Sequence, residues 1–411
     1  MKEHRYDYVI VGAGTAGCLL ANRLSADPDV KVLLLEAGGK DDWIWIRIPV
    51  GYLFCINNPR TDWMYRTEPD EGLNGRSIIY ARGKVLGGCS SINAMIYMRG
   101  QARDYDEWAA LTGDSAWSWQ SVLPVFRQSE DYFRGADEAH GAGGEWRVEP
   151  QRLRWDILDA YREAMAQAGI PKIDDFNRGD NEGSSYFLVN QTRGVRLNTA
   201  RAFLRPAQGR PNLTVLTEAQ VRRLRFEGRR CTGVEIMRGS VDEMAVANIE
   251  TILSAGSVGS PQILQLSGVG PGALLRQHGI PVLHEMPGVG ENLQDHLQLR
   301  MAFKVKNVVT LNQRVNSLVG KAAMGLEYLL FRSGPLTMAP SQLGGFTRSS
   351  PEHATANVEI HTQPLSLDKF GDPLHPFNAF TSSICNLRPT SRGYVRIKSP
   401  DPRAAPAIHC R

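Results

Sequence analysis

The sequence predicts an α/β fold built on a doubly wound parallel sheet, and three observations carry that expectation. A short apolar run, Tyr8 to Val11, leads straight into the glycine-spaced turn Gly12-Ala13-Gly14-Thr15-Ala16-Gly17. That turn opens a helical pattern through Leu19, Leu20 and Leu24 that ends near Ser25. A second apolar run, Val32 to Leu35, closes on Glu36. Strand, tight turn, helix and strand in this order make a βαβ unit of the Rossmann-like kind.

Each part of the unit has a physical role. Gly12 permits the tight turn, Gly14 lets backbone approach a pyrophosphate, and Gly17 lets the helix pack close to the strand. The helix N-terminus favours negative charge. Thr15 and Ala16 sit in its first turn, and Glu36 with Ala37 stands at the end of the second strand. A carboxylate at Glu36 accepts both hydroxyls of an adenosine ribose and repels a 2′-phosphate. This context favours dinucleotide binding over a bare βα turn and leaves NAD and FAD equally open.

Further along, residues 43–79 are irregular and rich in aromatics, which predicts a long excursion over the core. Residues 83–100 are rich in glycine and serine between apolar residues, as backbone approaching a ligand requires. The pattern from Asp104 to Phe133 predicts helix, with Trp108, Leu123 and Phe126 as core residues. A second helix is expected from Trp155 to Ala168, stopped by Gly169 and Pro171. Four apolar runs between Leu213 and Ile252 predict a small antiparallel meander. The basic residues Arg222, Arg223, Arg225, Arg229 and Arg230 flank Gly228 and read as a solvated hairpin rather than a nucleic-acid patch. A helix is expected near Pro261, and a second domain beyond about Arg300.

Composition sets limits. Hydrophobic residues make up 42% and charged residues 22%, and the formal charge is +4, so no polyanionic partner is indicated. The six cysteines form no C-x-x-C pair, which argues against a dithiol, a zinc site or a disulfide framework. No apolar stretch is long enough for an integral membrane segment. The chain reads as cytoplasmic.

Two further segments separate the dinucleotides. Arg82-Gly83-Lys84-Val85-Leu86-Gly87-Gly88-Cys89-Ser90-Ser91-Ile92-Asn93-Ala94 resembles the first signature of the glucose–methanol–choline oxidoreductases. Gly256-Ser257-Val258-Gly259-Ser260-Pro261-Gln262-Ile263-Leu264-Gln265-Leu266-Ser267-Gly268-Val269-Gly270 matches the second. The resemblance extends over essentially the whole chain, including Pro287 to His296 and Ser391 to Tyr394.

The resemblance implies FAD as the cofactor. It also implies a reaction that oxidises a primary alcohol to an aldehyde by hydride transfer to the flavin, with quinone or O2 as final acceptor. By the same resemblance, Val85, Leu86, Ser90, Asn93 and Ala94 lie beside the flavin ring, and Trp63, Arg82, Gly87, Gly88, Met95 and Ile96 belong to the cofactor site. Val221 belongs near the adenine, and Ala255 with Gly256 near the ribityl-pyrophosphate. Ile92 stands where some relatives carry a flavin-linked histidine, so the FAD is expected to be non-covalent. Cys89 is expected to be a small buried residue.

On the substrate side, Gln342 stands where choline-oxidising relatives carry a glutamate before Gly344-Gly345-Phe346. A neutral amide gives no strong attraction to a cation, which favours a neutral alcohol over choline. The family's catalytic histidine motif belongs well beyond Ser391–Arg411 and is not among the nine histidines here. His296 follows Asp295, but adjacent residues seldom face each other, and a structural, hydrogen-bonded role is expected for it. His361 and His409 lie in strand-like runs. No metal site is expected. A catalytically inactive flavin-binding protein is the competing reading. A disulfide reductase lacks both its cysteine pair and its second glycine motif.

The expected layout is an FAD domain from residues 1–150 and 195–298, and an α+β substrate domain with an antiparallel sheet from 151–194 and 299–411.

Overall fold

The computed structural model describes residues 2–239, 241–369 and 371–411. Strand β1 (Lys2–Val11), helix α1 (Thr15–Leu24) and strand β2 (Val32–Leu35) form the opening βαβ unit. Helices α2 (Ala102–Thr112), α3 (Trp119–Ser129) and α4 (Asp156–Gln167) follow, then strand β3 (Gly183–Tyr186). Next come β4 (Leu213–Leu216), β5 (Gln220–Glu227), β6 (Arg230–Arg238), β7 (Val241–Leu253) and helix α5 (Gly256–Leu266). The last third carries β8 (Gln298–Lys304), α6 (Leu318–Phe331), β9 (Leu343–Thr347), β10 (Val358–Gln363), β11 (Ala379–Asn386), β12 (Gly393–Arg396) and β13 (Ala407–His409).

The first sheet runs β5-β6-β7-β1-β2-β4. Val9 of β1 pairs with Leu33 on one side and Thr251 on the other, both parallel. The strands are buried on both faces, which explains their unbroken apolar runs. Ile10, Val32 and Leu34 pack with Cys18, Ala21 and Phe203 on the helical face. Val9, Val11, Leu33 and Leu35 pack with Val221, Leu224, Val234 and Ile236 on the other. That second face is covered by the curled β5–β7 hairpins together with α5, so the doubly wound description is met by helices chiefly on one side.

Three expectations are corrected by the structure. Leu213–Leu216 is no part of the meander; as β4 it pairs parallel with β2, Val32 opposite Leu213, at the far edge of the sheet. The antiparallel hairpins are β5–β6 and β6–β7 alone. Helix α5 begins at Gly256 rather than near Pro261, which lies inside it. The region expected as one helix from Asp104 divides at Gly113, where the backbone turns left-handed, into α2 and α3. Neither helix buries a residue, and Trp108 is 51% exposed. Tyr105, Trp108, Trp119 and Phe126 pack ring against ring at the surface instead. The basic hairpin is as expected: Arg223 and Arg225 both reach Glu235 across β5–β6.

The second sheet, β8-β11-β10-β9-β3, is antiparallel throughout. Leu343 and Ile360 on one face pack with Trp155, Leu158 and Met165 of the α4 segment. Strand β8 is an edge, with Leu299 and Phe303 exposed. Residues 393–410, grouped by sequence with this sheet, lie against α5 of the first: Val395 and Ile408 pack with Val258, and Gln265 donates to the Val395 carbonyl.

A buried ionic cluster ties the connecting segments together. His140 is fully buried, with Nδ1 3.0 Å from Glu130 and Nε2 2.6 Å from Asp175. Arg99 completes it, 2.9 Å from the same Glu130 oxygen. Burial opposes the imidazolium, but the two carboxylates prevail and push its pKa up to about 9. The folded pKa exceeds the ordinary His value, so this stabilisation is full below ~6.5 and is lost as pH rises toward 9. Melting temperature compared between pH 6.5 and 9 should show this loss. His140→Gln should remove that part of the pH dependence and cost about 3–5 kcal/mol at pH 6.5, as breaking a buried ion pair does.

Candidate functional site

The turn at the start of α1 is held by backbone contacts that only glycine allows. Gly12 has φ of +98° and donates to the Leu35 carbonyl at 2.8 Å. A Cβ on Gly17 would lie 1.9 Å from the Gly12 oxygen, so helix and strand meet at van der Waals limit. Gly14, in contrast, has nothing within 4 Å of where its Cβ would stand. It faces a cavity of about 590 Å³, a size suited to a cofactor.

That cavity gathers Gly12, Gly14, Thr15, Ala16, Glu36, Ala37, Trp63, Arg82, Gly88, Val221, Ala255 and Gly256 from six separate segments. Tyr65 and Cys89 line it as well, and Trp63 stacks on Tyr65 with ring centroids 5.7 Å apart. Glu36 is 5% exposed; its two carboxylate oxygens accept from the backbone N–H groups of Ala13 and Gly38 at 3.0 and 2.8 Å. Burial is the largest influence on it and pushes its pKa up to about 7. Each oxygen keeps a lone pair for a ribose hydroxyl, while the first N–H groups of α1 have no intrahelical acceptor. These donors, the carboxylate and the open Gly14 face fit an adenosine-diphosphate group.

The loop of the first signature docks on this turn. The Gly87 N–H donates to the Ala13 carbonyl at 2.8 Å, and a Cβ on Gly88 would lie 2.8 Å from the Gly14 Cα. Among the signature residues of this loop, Gly88 and Cys89 line the cavity beside Arg82 and Gly83. Val85, Leu86 and Met95 turn their side chains into the core, while Asn93 is exposed and Ala94 and Ile96 are half-buried. Cys89, expected to be buried, is exposed at the cavity wall with its sulfur 3.4 Å from the Gly83 nitrogen.

The loop serines anchor it instead of facing the cavity. Ser90 Oγ donates to the Gly87 carbonyl and accepts the Thr199 N–H; Ser91 Oγ donates to the Leu86 carbonyl and accepts from Asn198. Arg196 is fully buried beneath the loop, donating to the Ser90 carbonyl at 3.1 Å and Asn93 Oδ1 at 2.9 Å. Burial pulls its pKa down to about 10, and its Nε and Nη2 find no protein acceptor. Sequence reasoning missed Arg196, Asn198 and Thr199; their signal was a cluster of polar residues leading straight into the buried run Ala200–Leu204.

Opposite its α4 side the second sheet presents a mixed face, apolar where Phe346 packs with Phe176, Phe187 and Ala356 and polar beside it. Pairing places Phe346, Glu359 and Cys385 in one row and Gly344, His361 and Ser383 in the next. His361 Nε2 lies 3.0 Å from Glu359, and its ring lies 5.4 Å from Phe187. Gln342 precedes this strand; its side chain is 0% exposed, and both amide atoms lack a partner. An unpartnered buried amide costs about 1–3 kcal/mol, so Gln342 has an unspent donor and acceptor.

His296, expected to play a structural, hydrogen-bonded role, is exposed and lines a second cavity of about 480 Å³ with Glu359, Phe346 and Arg388. Asp295 accepts the backbone N–H of His296 rather than orienting its ring. His409 stacks on Tyr394 at the end of β13, away from the second sheet.

Comparison with known proteins agrees with this geometry. Residues 6–298 match the GMC oxidoreductase family. The chain is 40% identical over 411 residues to an oxygen-dependent choline dehydrogenase from Photobacterium profundum, covering 98% of the chain and 71% of that protein. It is 39% identical to an alcohol dehydrogenase [acceptor] from Pseudomonas putida, covering 98% and 73%. The fold superposes on pyridoxine 4-oxidase from Mesorbium loti with a TM-score of 0.86 at 33% identity, covering 98% and 75%. For a formate oxidase from Aspergillus oryzae the TM-score is 0.88 at 27% identity, covering 100% and 77%.

Glu36 supplies the sharpest test of the cavity. Replacing it by glutamine should weaken FAD binding by about 1.5–3 kcal/mol, roughly 10- to 150-fold in Kd, as loss of hydrogen bonds to a charged group does. Because only the ionised carboxylate accepts fully, affinity should fall as pH drops from 8 through 7 to 6. Titration calorimetry should show that slope in the wild type and a flat profile in Glu36→Gln.

Proposed function

We propose that this chain, which belongs to the GMC oxidoreductase family, binds FAD without a covalent bond and serves to oxidise a neutral primary alcohol to its aldehyde. Family members are FAD-dependent. The observation that carries the substrate class is Gln342, a buried amide with both polar atoms unspent on the face that pairing gives to His361 and Glu359.

The adenosine end would be held by Glu36 and the start of α1, with Trp63 and Val221 along the cavity wall. The loop from Gly87 to Ala94, latched by Ser90 and Ser91, would fix the other end. When bound, FAD supplies the acceptor for the hydride lost from the substrate carbon. The chain's own residues orient the alcohol. Gln342 can both donate to and accept from a hydroxyl, and His361, held by Glu359, borders it on the neighbouring strand. A neutral amide gives a cation no strong attraction, whereas an alcohol pairs with its donor and acceptor. Ile92 is apolar and 3% exposed, which supports a dissociable cofactor at that position.

The proton acceptor is a separate matter. His140 is locked between two carboxylates, and His361 Nε2 is taken up by Glu359. His296 is exposed in the cavity it shares with Glu359, and no hydrogen bond among the described residues sets a histidine against the Gln342 amide. We propose quinone or O2 as the final electron acceptor and the cytoplasm as the compartment.

Two measurements test this reading. Perturbation of the bound flavin's absorption should give tighter binding for small neutral alcohols than for choline. Gln342→Glu should tighten choline about tenfold, about 1.4 kcal/mol; wild-type preference for choline would contradict the assignment. Under anaerobic conditions, a primary alcohol should bleach the flavin slowly, and faster when imidazole is added as proton acceptor. No bleaching under either condition would favour a flavin-binding protein without catalysis.

A further inference from the structure

Helix α6 is apolar on the side that faces away from the protein. Met324 packs inward with Trp155, Leu158 and Met338, and Tyr328 is buried beside it, its hydroxyl donating to the Gly194 carbonyl at 3.2 Å. At ~100° per residue, Leu318, Val319, Ala322, Leu326, Leu329 and Leu330 share one stripe on the opposite side. All six are exposed, Leu318 at 85% and Leu329 at 72%. A surface helix normally turns its charged residues outward and its apolar ones inward. Here the outward stripe carries no charge at all.

The surroundings are cationic. Lys321 is exposed on the helix, and Arg314 and Arg332 at its two ends rest on the rings of Trp155 and Tyr328 rather than on carboxylates. Glu327, the helix's one acid, is engaged by the Ser333 hydroxyl at 3.2 Å. The helical turn Tyr52–Cys55 adds exposed Leu53 and Phe54, and its preceding turn at Pro49–Gly51 packs on Pro335–Thr337, which in turn packs on α6.

We propose that the outward face of α6, flanked by exposed Lys321 and Arg332, docks on the surface of an anionic lipid bilayer. An uncharged aliphatic stripe beside a basic rim is the arrangement of a helix lying in the membrane interface. The helix has 14 residues and so is ~21 Å long, short of the ~30 Å hydrocarbon core. Among the described residues no helix is long and apolar enough to cross a membrane. A lipid headgroup layer also suits the rim better than a second copy of the chain does. A two-fold contact sets the same patch against itself, and here would bring basic side chains together.

The test is co-sedimentation of the whole 411-residue chain with vesicles. Wild type should pellet with phosphatidylglycerol–phosphatidylcholine vesicles and at least tenfold less with phosphatidylcholine alone, and salt should release it. The double variant Leu326→Glu/Leu329→Glu should lose at least tenfold of that binding, as should Lys321→Glu/Arg332→Glu. Circular dichroism melts of both variants should match wild type, since these residues are exposed. Failure of the wild type to pellet, or undiminished binding by the variants, would overturn the proposal. So would wild-type dimerisation in light scattering that Leu326→Glu/Leu329→Glu abolishes, which would assign the face to a second copy.

Discussion

Backbone laid against backbone is the contact on which the rest of this structure depends. The Gly12 carbonyl sits where a Gly17 side chain would stand, and Gly88 meets Gly14 in the same way. No side chain separates strand, helix and signature loop at that point. Their closeness sets the depth of the cavity, holds Glu36 within reach of the Ala13 and Gly38 amides, and brings Cys89 to the cavity wall. A larger residue at Gly17 or Gly88 would push these elements apart and remove the site together with the packing.

The second constraint is polar. The signature loop is held from beneath by Arg196, Asn198 and Thr199, a buried set whose hydrogen bonds go to the loop's serines and carbonyls. Buried polar groups of this kind are worth little net energy but are expensive to leave unmade, so they select one loop conformation over others. The same logic applies at the second sheet. Its α4 face is a packed apolar core, while its other face carries Glu359, His361 and the unpartnered Gln342. One face holds the sheet in place and the other offers hydrogen-bonding capacity.

Local pattern made the opening βαβ unit legible, because glycine spacing and apolar periodicity are written in consecutive residues. Glu36 was legible for the same reason. What could not be read were pairings between distant segments. Leu213–Leu216 has the composition of any short strand, and its place beside β2 is decided by parallel pairing across the chain. The polar row of the second sheet emerges from register between β9, β10 and β11, which no single stretch encodes. Trp108 looked like core because indole is large and apolar, yet its partners are other surface rings. Arg196 was overlooked because an isolated arginine reads as solvated, and only the fold shows it fully buried.

The central claim is that these 411 residues form a cradle for dissociable FAD. Its most direct test is the visible absorption spectrum of the purified chain after incubation with FAD and removal of the excess, recorded again on the supernatant of acid-precipitated protein. The account predicts flavin bands near one equivalent per chain, all of it released by acid. A folded chain that takes up no flavin, or one that keeps it in the acid pellet, would contradict it.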